Sequence, residues 1–307
     1  MSPQRTGERV CIRLPVGNYG VAMADVFEVG IVGSGIMGAG LAEVAARAGH
    51  EVVVRSRTMD GAEGVRSRIA GGFDRLVAKE RMTADERSEI LARIRVTDHL
   101  GQLADCDLVI ESVVEDLAVK TALFAELEQI VKPDGVLATN TSTLPVVEMA
   151  MATQRPHLVC GIHFFNPAPM MQLVEIVEPV TADASTIATA VAFAEGCGKD
   201  AVVVADRAGF VVNALLFPYL NNAVRMWEQG TASMADIDTA MQGGCNFPMG
   251  PFALLDLVGL DTSLAILDAL YDEFRDPNYA AATTLRRKVA AGQLGRKSGL
   301  GLHDYSS

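Results

Sequence analysis

The feature that most constrains this chain is a glycine pattern set between a strand and a helix. Phe27 to Val32 (FEVGIV) reads as a short buried strand, and Gly33-Ser34-Gly35-Ile36-Met37-Gly38 follows it directly. Ala39 to Ala48 then runs as a helix of small residues. In that setting G-x-G-x-x-G is a dinucleotide fingerprint. The glycines allow a tight turn and close approach to a pyrophosphate, and the helix N-terminus offers free N–H groups and partial positive charge. A tight turn without a ligand and the adenosine site of a methyltransferase share the pattern, but the strand–turn–helix context favours the dinucleotide. Gly33, Gly35, Ile36, Met37 and Gly38 are therefore candidate cofactor residues.

The next strand, Glu51 to Val54, is where an acid for the adenosine ribose belongs, and none is there. The strand runs into Arg55-Ser56-Arg57-Thr58. An acid would bind the 2′-hydroxyl of NAD and repel a 2′-phosphate, whereas Ser56 and Arg57, with help from Arg55, would hold that phosphate. The turn predicts a preference for NADP(H), with NAD(H) as the other carrier. Read as structure alone, it is a solvated basic turn.

The rest of the chain sorts into two halves. Up to about residue 205 strands and helices alternate, which predicts an α/β fold with a Rossmann-like, doubly wound, mainly parallel sheet over 26–205. Its strands include Asp107 to Ser112 (DLVIES), followed by Glu115 and a helix from Val119, and Val136 to Ala138, which leads into Thr139-Asn140-Thr141-Ser142-Thr143. Ala201 to Val204 is the last. Residues 60–95 read as a helical insertion, two helices joined around Arg81-Met82-Thr83. From 206 to 307 the pattern is all-helical: a long apolar helix over 210–229, another opened by Ser233, a hard break at Asn246 to Pro251, and helices at about 259–275 and 281–292. So apolar a helical segment predicts a homodimer built through it. Met1 to Asp25 has no long apolar core and is not a secretory signal; it reads as a disordered extension, with Met23 a natural start before the first strand.

Composition narrows the partners. The net charge of −12 argues against nucleic-acid and anionic-membrane binding. No run approaches transmembrane length. Five cysteines, at 11, 106, 160, 197 and 245, are scattered without metal-ligand spacing. That predicts a reduced, cytoplasmic protein with no metal.

Gly161 to Glu175, GIHFFNPAPMMQLVE, carries the chemistry. Leu158 to Ile162 reads as a buried strand with His163 at its C-terminal end, the edge where ligands bind in an open α/β sheet. Pro167 and Pro169 mark a turn, and Leu173 to Val177 is a strand with Glu175 between apolar neighbours. A buried carboxylate needs a partner, and an imidazole beside it would be oriented and made more basic. The pair is either a proton-transfer device or a satisfied core histidine with an unrelated acid.

Together GSGIMG, VIESVVED, NTST, HFFNPAPMMQLVE, DRAGFVVN and FPMGPFALLDLVGLD resemble the 3-hydroxyacyl-CoA dehydrogenase family, especially its short bacterial 3-hydroxybutyryl-CoA members, over nearly all of Phe27 to Tyr305. The resemblance implies reversible oxidation of an (S)-3-hydroxyacyl-CoA to a 3-oxoacyl-CoA in fatty-acid metabolism, and a nucleotide-binding domain plus a helical dimerisation domain. It makes His163 the acid/base, Glu175 its orienting partner, and Ser142 and Asn213 contacts to the substrate, with Asn166 of HFFNP on the substrate side. It places Asn140, Glu115 and Lys120 beside the nicotinamide end of the cofactor and Lys79 on the CoA portion. Each has a structural alternative: Ser142 as a helix cap, Asn213 as a helix-end partner, Glu115, Lys120 and Lys79 as solvated charges. Two departures stand out. Ser56 replaces the family's ribose acid, as in NADP-linked bacterial members, and the tail Gly301-Leu302-His303 lacks the usual aromatic after glycine. Relatives that oxidise sugar acids such as gulonate, and substrates carried on a carrier protein, are the alternative activities.

Overall fold

A computed structural model describes residues 28–306; the N-terminal extension and Phe27 lie outside the described residues. The first half runs β1 (Glu28–Val32), α1 (Ile36–Arg47), β2 (Glu51–Arg55), α2 (Met59–Ala78), α3 (Ala84–Ala92), β3 (Ile94–Thr97), β4 (Leu108–Glu111), α4 (Leu117–Glu128), β5 (Val136–Thr139) and α5 (Val146–Met151). It continues with β6 (Val159–Phe164), β7 (Leu173–Glu178), α6 (Ala184–Gly196) and β8 (Asp200–Ala205). The second half is α7 (Val212–Glu228), α8 (Met234–Cys245), α9 (Pro251–Val258), α10 (Leu260–Phe274) and α11 (Thr283–Ala290).

The eight strands form one sheet in the order β3-β2-β1-β4-β5-β6-β7-β8. Alternate residues of each strand feed two separate apolar layers. Val29, Val52, Val54, Leu108 and Ile110 pack under α1, α2 and α6, while Val53, Val109 and Leu137 face α4 and α5. A sheet covered on both faces needs this near-continuous apolar run, which is why its strands read as blocks rather than as polar–apolar alternation. Strand order reverses between β1 and β4, so the crevice at their carboxyl ends is where a ligand binds in such a sheet. Six neighbouring pairs are parallel, and only β6 and β7 run antiparallel among the described strands.

Two elements differ from the sequence reading. The helical insertion read over 60–95 ends earlier, because Ile94–Thr97 is the edge strand β3, paired with β2. Four residues paired on one side show too little pattern to be seen. The break read at Asn246 to Pro251 is short, since Pro251 opens α9 as its first helical residue. Proline costs nothing there because its missing N–H would have been unsatisfied anyway. Asp238 caps the new helix, accepting from the N–H groups of Phe252 (2.8 Å) and Ala253 (3.2 Å). The second half buries its own core around Phe217, Leu220, Phe252, Leu267 and Leu270. Asp256 of α9 accepts from the backbone of Leu302 and His303, 2.8 Å each, and so ties down the C-terminal tail. No helix of the described residues is long and apolar enough to cross a membrane.

Candidate active site

The three glycines of the first turn do different things. A Cβ on Gly33 (φ 138°) would collide with the carbonyl of Ser112, and one on Gly38 with the carbonyl of Gly33. Those two positions exist to let backbone pack on backbone. A Cβ on Gly35 would meet nothing within 4 Å, so this glycine faces open space at the start of α1. No side chain caps α1 and its first turn holds no acid, which leaves the N–H groups of Ile36 and Met37 to an anion. The residues therefore fit a dinucleotide pyrophosphate. The cleft beside the turn is lined by Gly33, Ser34, Arg55, Ser56 and Arg57 on one side and by Val113, Val114 and Val119 on the other. Ser56 is buried at the end of β2 with its hydroxyl donating to that of Ser34 (3.0 Å), while Arg57 is exposed.

At the carboxyl ends of β4 and β5 a charged network holds the next wall. Glu111 ends β4 fully buried and accepts from both sides: Lys120 Nζ at 2.7 and 2.9 Å, the Thr139 hydroxyl at 2.8 Å and the Val113 N–H at 2.5 Å. Lys120 is itself 1% exposed and also pairs with Glu115 at 3.2 Å. Glu115 in turn accepts from the Thr141 hydroxyl (2.6 Å) and the Ser142 N–H (2.8 Å). Lys120 thus sits behind Glu115 rather than out in the cleft. The Ser142 hydroxyl makes no bond among the described residues, and it lines a second pocket with Glu115, Asn140 and Met37, closed from the other half by Asp261, Thr262 and Ile266. Asn140 spends its Oδ1 on the Phe164 N–H (2.8 Å), which leaves its side-chain amide N–H groups for the pocket.

His163 and Glu175 face each other directly across the antiparallel β6–β7 ladder. His163 Nδ1 lies 2.8 Å from Glu175 Oε2, and both side chains are buried, 4% and 1% exposed. The other carboxylate oxygen accepts from the N–H groups of Val211 and Val212, 3.0 Å each, at the start of α7. Burial pushes the Glu175 carboxyl up, but the His163 bond and the two backbone bonds outweigh it and hold it below the ordinary carboxylate value. With Nδ1 turned to the carboxylate, Nε2 of the ring is the nitrogen left for a ligand. Phe165 and Phe210 flank the ring at 4.5 and 5.4 Å between centroids. Asn213 is buried in the first turn of α7, whose N-terminus Glu175 caps.

Asn166 lies exposed just past β6, and Ala168, Pro169 and Met171 of the following loop all give their carbonyls to Lys199 Nζ at 2.9, 3.4 and 2.8 Å. Lys79 stands apart. It is the exposed C-cap of α2, a helix of 20 residues and so about 30 Å long, at the end away from the basic turn. Sequence reasoning passed over Glu111, Lys199 and Arg68, the last reaching from α2 to the carbonyls of Ser34 and Gly35. Only Glu111 had a signal, an acid closing the apolar run of β4. The other two depend on packing between elements far apart in the chain. Among the described residues no group of acids, histidines and cysteines is placed to hold a metal.

A doubly wound sheet with a dinucleotide turn at its switch point and a buried histidine–carboxylate pair at a neighbouring strand end defines a nicotinamide-dependent oxidoreductase. The chain belongs to the 3-hydroxyacyl-CoA dehydrogenase family: residues 28–207 match its NAD binding domain and 209–305 its C-terminal domain. It is 47% identical to the 3-hydroxybutyryl-CoA dehydrogenase of Mycobacterium tuberculosis over 92% of this chain and 100% of that one. With the 3-hydroxybutyryl-CoA dehydrogenase of Clostridioides difficile it shares 41% over 91% and 99%. The crystal structure of (S)-3-hydroxybutyryl-CoA dehydrogenase from Ralstonia eutropha superposes with a TM-score of 0.90 at 38% identity, covering 92% of this chain and 100% of that chain.

Proposed function

We propose that this protein interconverts acetoacetyl-CoA and (S)-3-hydroxybutyryl-CoA, works chiefly as a reductase with NADPH, and does so as a cytoplasmic homodimer. The observation that carries the reaction is the cross-strand pair, His163 Nδ1 held 2.8 Å from a carboxylate that two backbone N–H groups fix in place. When bound, the nicotinamide carrier supplies the hydride for reduction and takes it back in oxidation. His163 gives the proton from Nε2 to the oxygen on substrate C3 as charge develops there, and recovers it in oxidation. Glu175 fixes the tautomer and the orientation of the ring. The Ser142 hydroxyl and the Asn213 amide are the donors proposed for the same oxygen. Glu115, braced by Lys120 and Glu111, positions the loop that carries Ser142.

The cofactor reading rests on the end of β2, where Arg55 closes the strand and Ser56 and Arg57 follow it into the cleft. NADPH and a thioester with a 3-oxo group point to a biosynthetic direction. The four described cysteines are free thiols, which suits a reducing compartment. The test is a comparison of initial rates on acetoacetyl-CoA with NADPH and with NADH, with gulonate and a carrier-protein thioester as rival substrates. Faster turnover of acetoacetyl-CoA with NADPH is the expected result. Arg57→Asp should then weaken NADPH use by roughly 10-fold or more, the worth of a charged bond to phosphate, and leave NADH unchanged or improved. Equal use of both carriers, unmoved by Arg57→Asp, would remove the NADPH reading; rates on gulonate above those on acetoacetyl-CoA would remove the substrate.

A further inference from the structure

Arg68 belongs to the helical insertion, nine residues into α2, yet its guanidinium reaches back over the glycine turn. Nη1 donates to the carbonyls of Ser34 (3.4 Å) and Gly35 (3.2 Å). Ser34 is also the residue whose hydroxyl meets Ser56, so one residue joins the end of β2 to this arginine. The guanidinium has five N–H donors in a planar fork, and two carbonyls occupy only one of its nitrogens. The other nitrogens make no bond among the described residues, and the side chain is exposed. Ser56 and Arg57 give the cleft a floor and one cationic side. Arg68 supplies a second cation that arrives from another element and is held in position by backbone rather than by a carboxylate.

We propose that Arg68 is a specificity-determining residue for the phosphorylated carrier, joining Ser56 and Arg57 in the site for the adenosine 2′-phosphate. The inference rests on the NADPH reading and adds a contact outside the turn that prompted it. A phosphate bound beside Ser56 would lie next to Ser34, within reach of the free fork of Arg68. A guanidinium anchored by two carbonyls loses little further freedom on binding, and bidentate pairing with phosphate is what its geometry favours.

The experiment uses the full-length protein and its Arg68→Gln variant. Arg66→Gln is the matched control, since Arg66 is exposed on the same helix about 200° around its axis. Dissociation constants for NADPH and NADH come from fluorescence titration, and those for 2′,5′-ADP and 5′-ADP from calorimetry. Unchanged melting temperatures would show that each variant is folded. The expected result is that Arg68→Gln weakens NADPH and 2′,5′-ADP by roughly 10- to 100-fold, while NADH and 5′-ADP change by less than about threefold. Arg66→Gln should leave all four near wild type. If wild type prefers NADPH and Arg68→Gln leaves that preference intact, or weakens both carriers equally, Arg68 is a brace for the glycine turn and the inference fails while the NADPH reading stands. An effect confined to the KM for acetoacetyl-CoA would assign it to the substrate and overturn the inference too. A wild type that binds NADPH and 2′,5′-ADP no tighter than NADH and 5′-ADP would remove both.

Discussion

Glu175 would serve stability and, in the proposed reaction, the orientation of the histidine ring. Its two oxygens join β7 to His163 on β6 and to the N-terminus of α7, so the carboxylate fastens the helical half to the sheet. Its pKa is lowered in the folded protein by those bonds, despite burial. A carboxyl whose folded pKa lies below its unfolded value adds stability above the unfolded pKa, about 4.3 for Glu, and loses it as pH falls through the folded value. Glu175→Gln should therefore cost about 1–3 kcal/mol at pH 7, and the gap from wild type should narrow as pH drops below about 4. Urea unfolding across that range measures it. A gap that stays constant with pH would mean the charge contributes nothing and only the packing matters. The buried pair Glu111 and Lys120, with the exposed Glu115 beside it, follows similar logic behind the cofactor cleft, where removing one buried partner strands the other charge.

Among the elements, the loop between β6 and β7 joins the two strands that carry His163 and Glu175. Lys199, just before β8, gathers three carbonyls from that loop with one ammonium group. Lys199→Met would leave those carbonyls without their partner. Hydrogen exchange over peptides spanning 164–172 should speed up by roughly 5-fold or more, the equivalent of about 1 kcal/mol of lost local stability, with exchange in β1 unchanged. Exchange at the wild-type rate would show that the loop holds itself. The elements also separate what was legible in the sequence from what was not. β1, its glycine turn and α1 could be read because a buried strand, a fingerprint and a small-residue helix stand in fixed order. His163 and Glu175 could be read as partners because a carboxylate buried between apolar neighbours needs one, and an imidazole stands twelve residues away across a proline turn. That β7 runs antiparallel to β6 did not figure in the mainly parallel pattern, since short buried strands look the same in either direction. The edge strand β3 was too short, and α9 was hidden by the prolines around Asn246 to Pro251. The pairing of Lys120 with Glu111 depends on how α4 docks on β4, which no local pattern encodes.

For the whole molecule, the exposed apolar surface of α7 is the main unspent feature. Leu215 is 72% exposed, and Val211 and Met226 lie nearly along the same line of the helix. This stripe is where the proposed twofold dimer through the helical half would form. Leu215→Asp should convert a dimer to a monomer at micromolar concentration, read by light scattering, with far-ultraviolet circular dichroism unchanged. A monodisperse wild-type monomer would contradict the dimer, and a variant that remains dimeric would move the interface elsewhere. The two halves also meet within one chain, where Asp261, Thr262 and Ile266 of α10 close the pocket over Glu115 and Ser142, so the helical half completes the site as well as offering the stripe.

In the proposed reaction His163 moves the proton while Glu175 holds the ring. This is tested most directly by kcat for acetoacetyl-CoA reduction at saturating NADPH in wild type, His163→Gln, Glu175→Gln and the double variant. General acid–base catalysis contributes about 10²–10⁴-fold, and His163→Gln should lose that much while keeping its fold and its affinity for NADPH. Glu175→Gln should also be slow, and the double variant should lose less than the product of the two, because both residues serve one transfer. A His163→Gln protein with near-wild-type kcat would contradict the account and leave the buried pair a structural feature of the β6–β7 ladder.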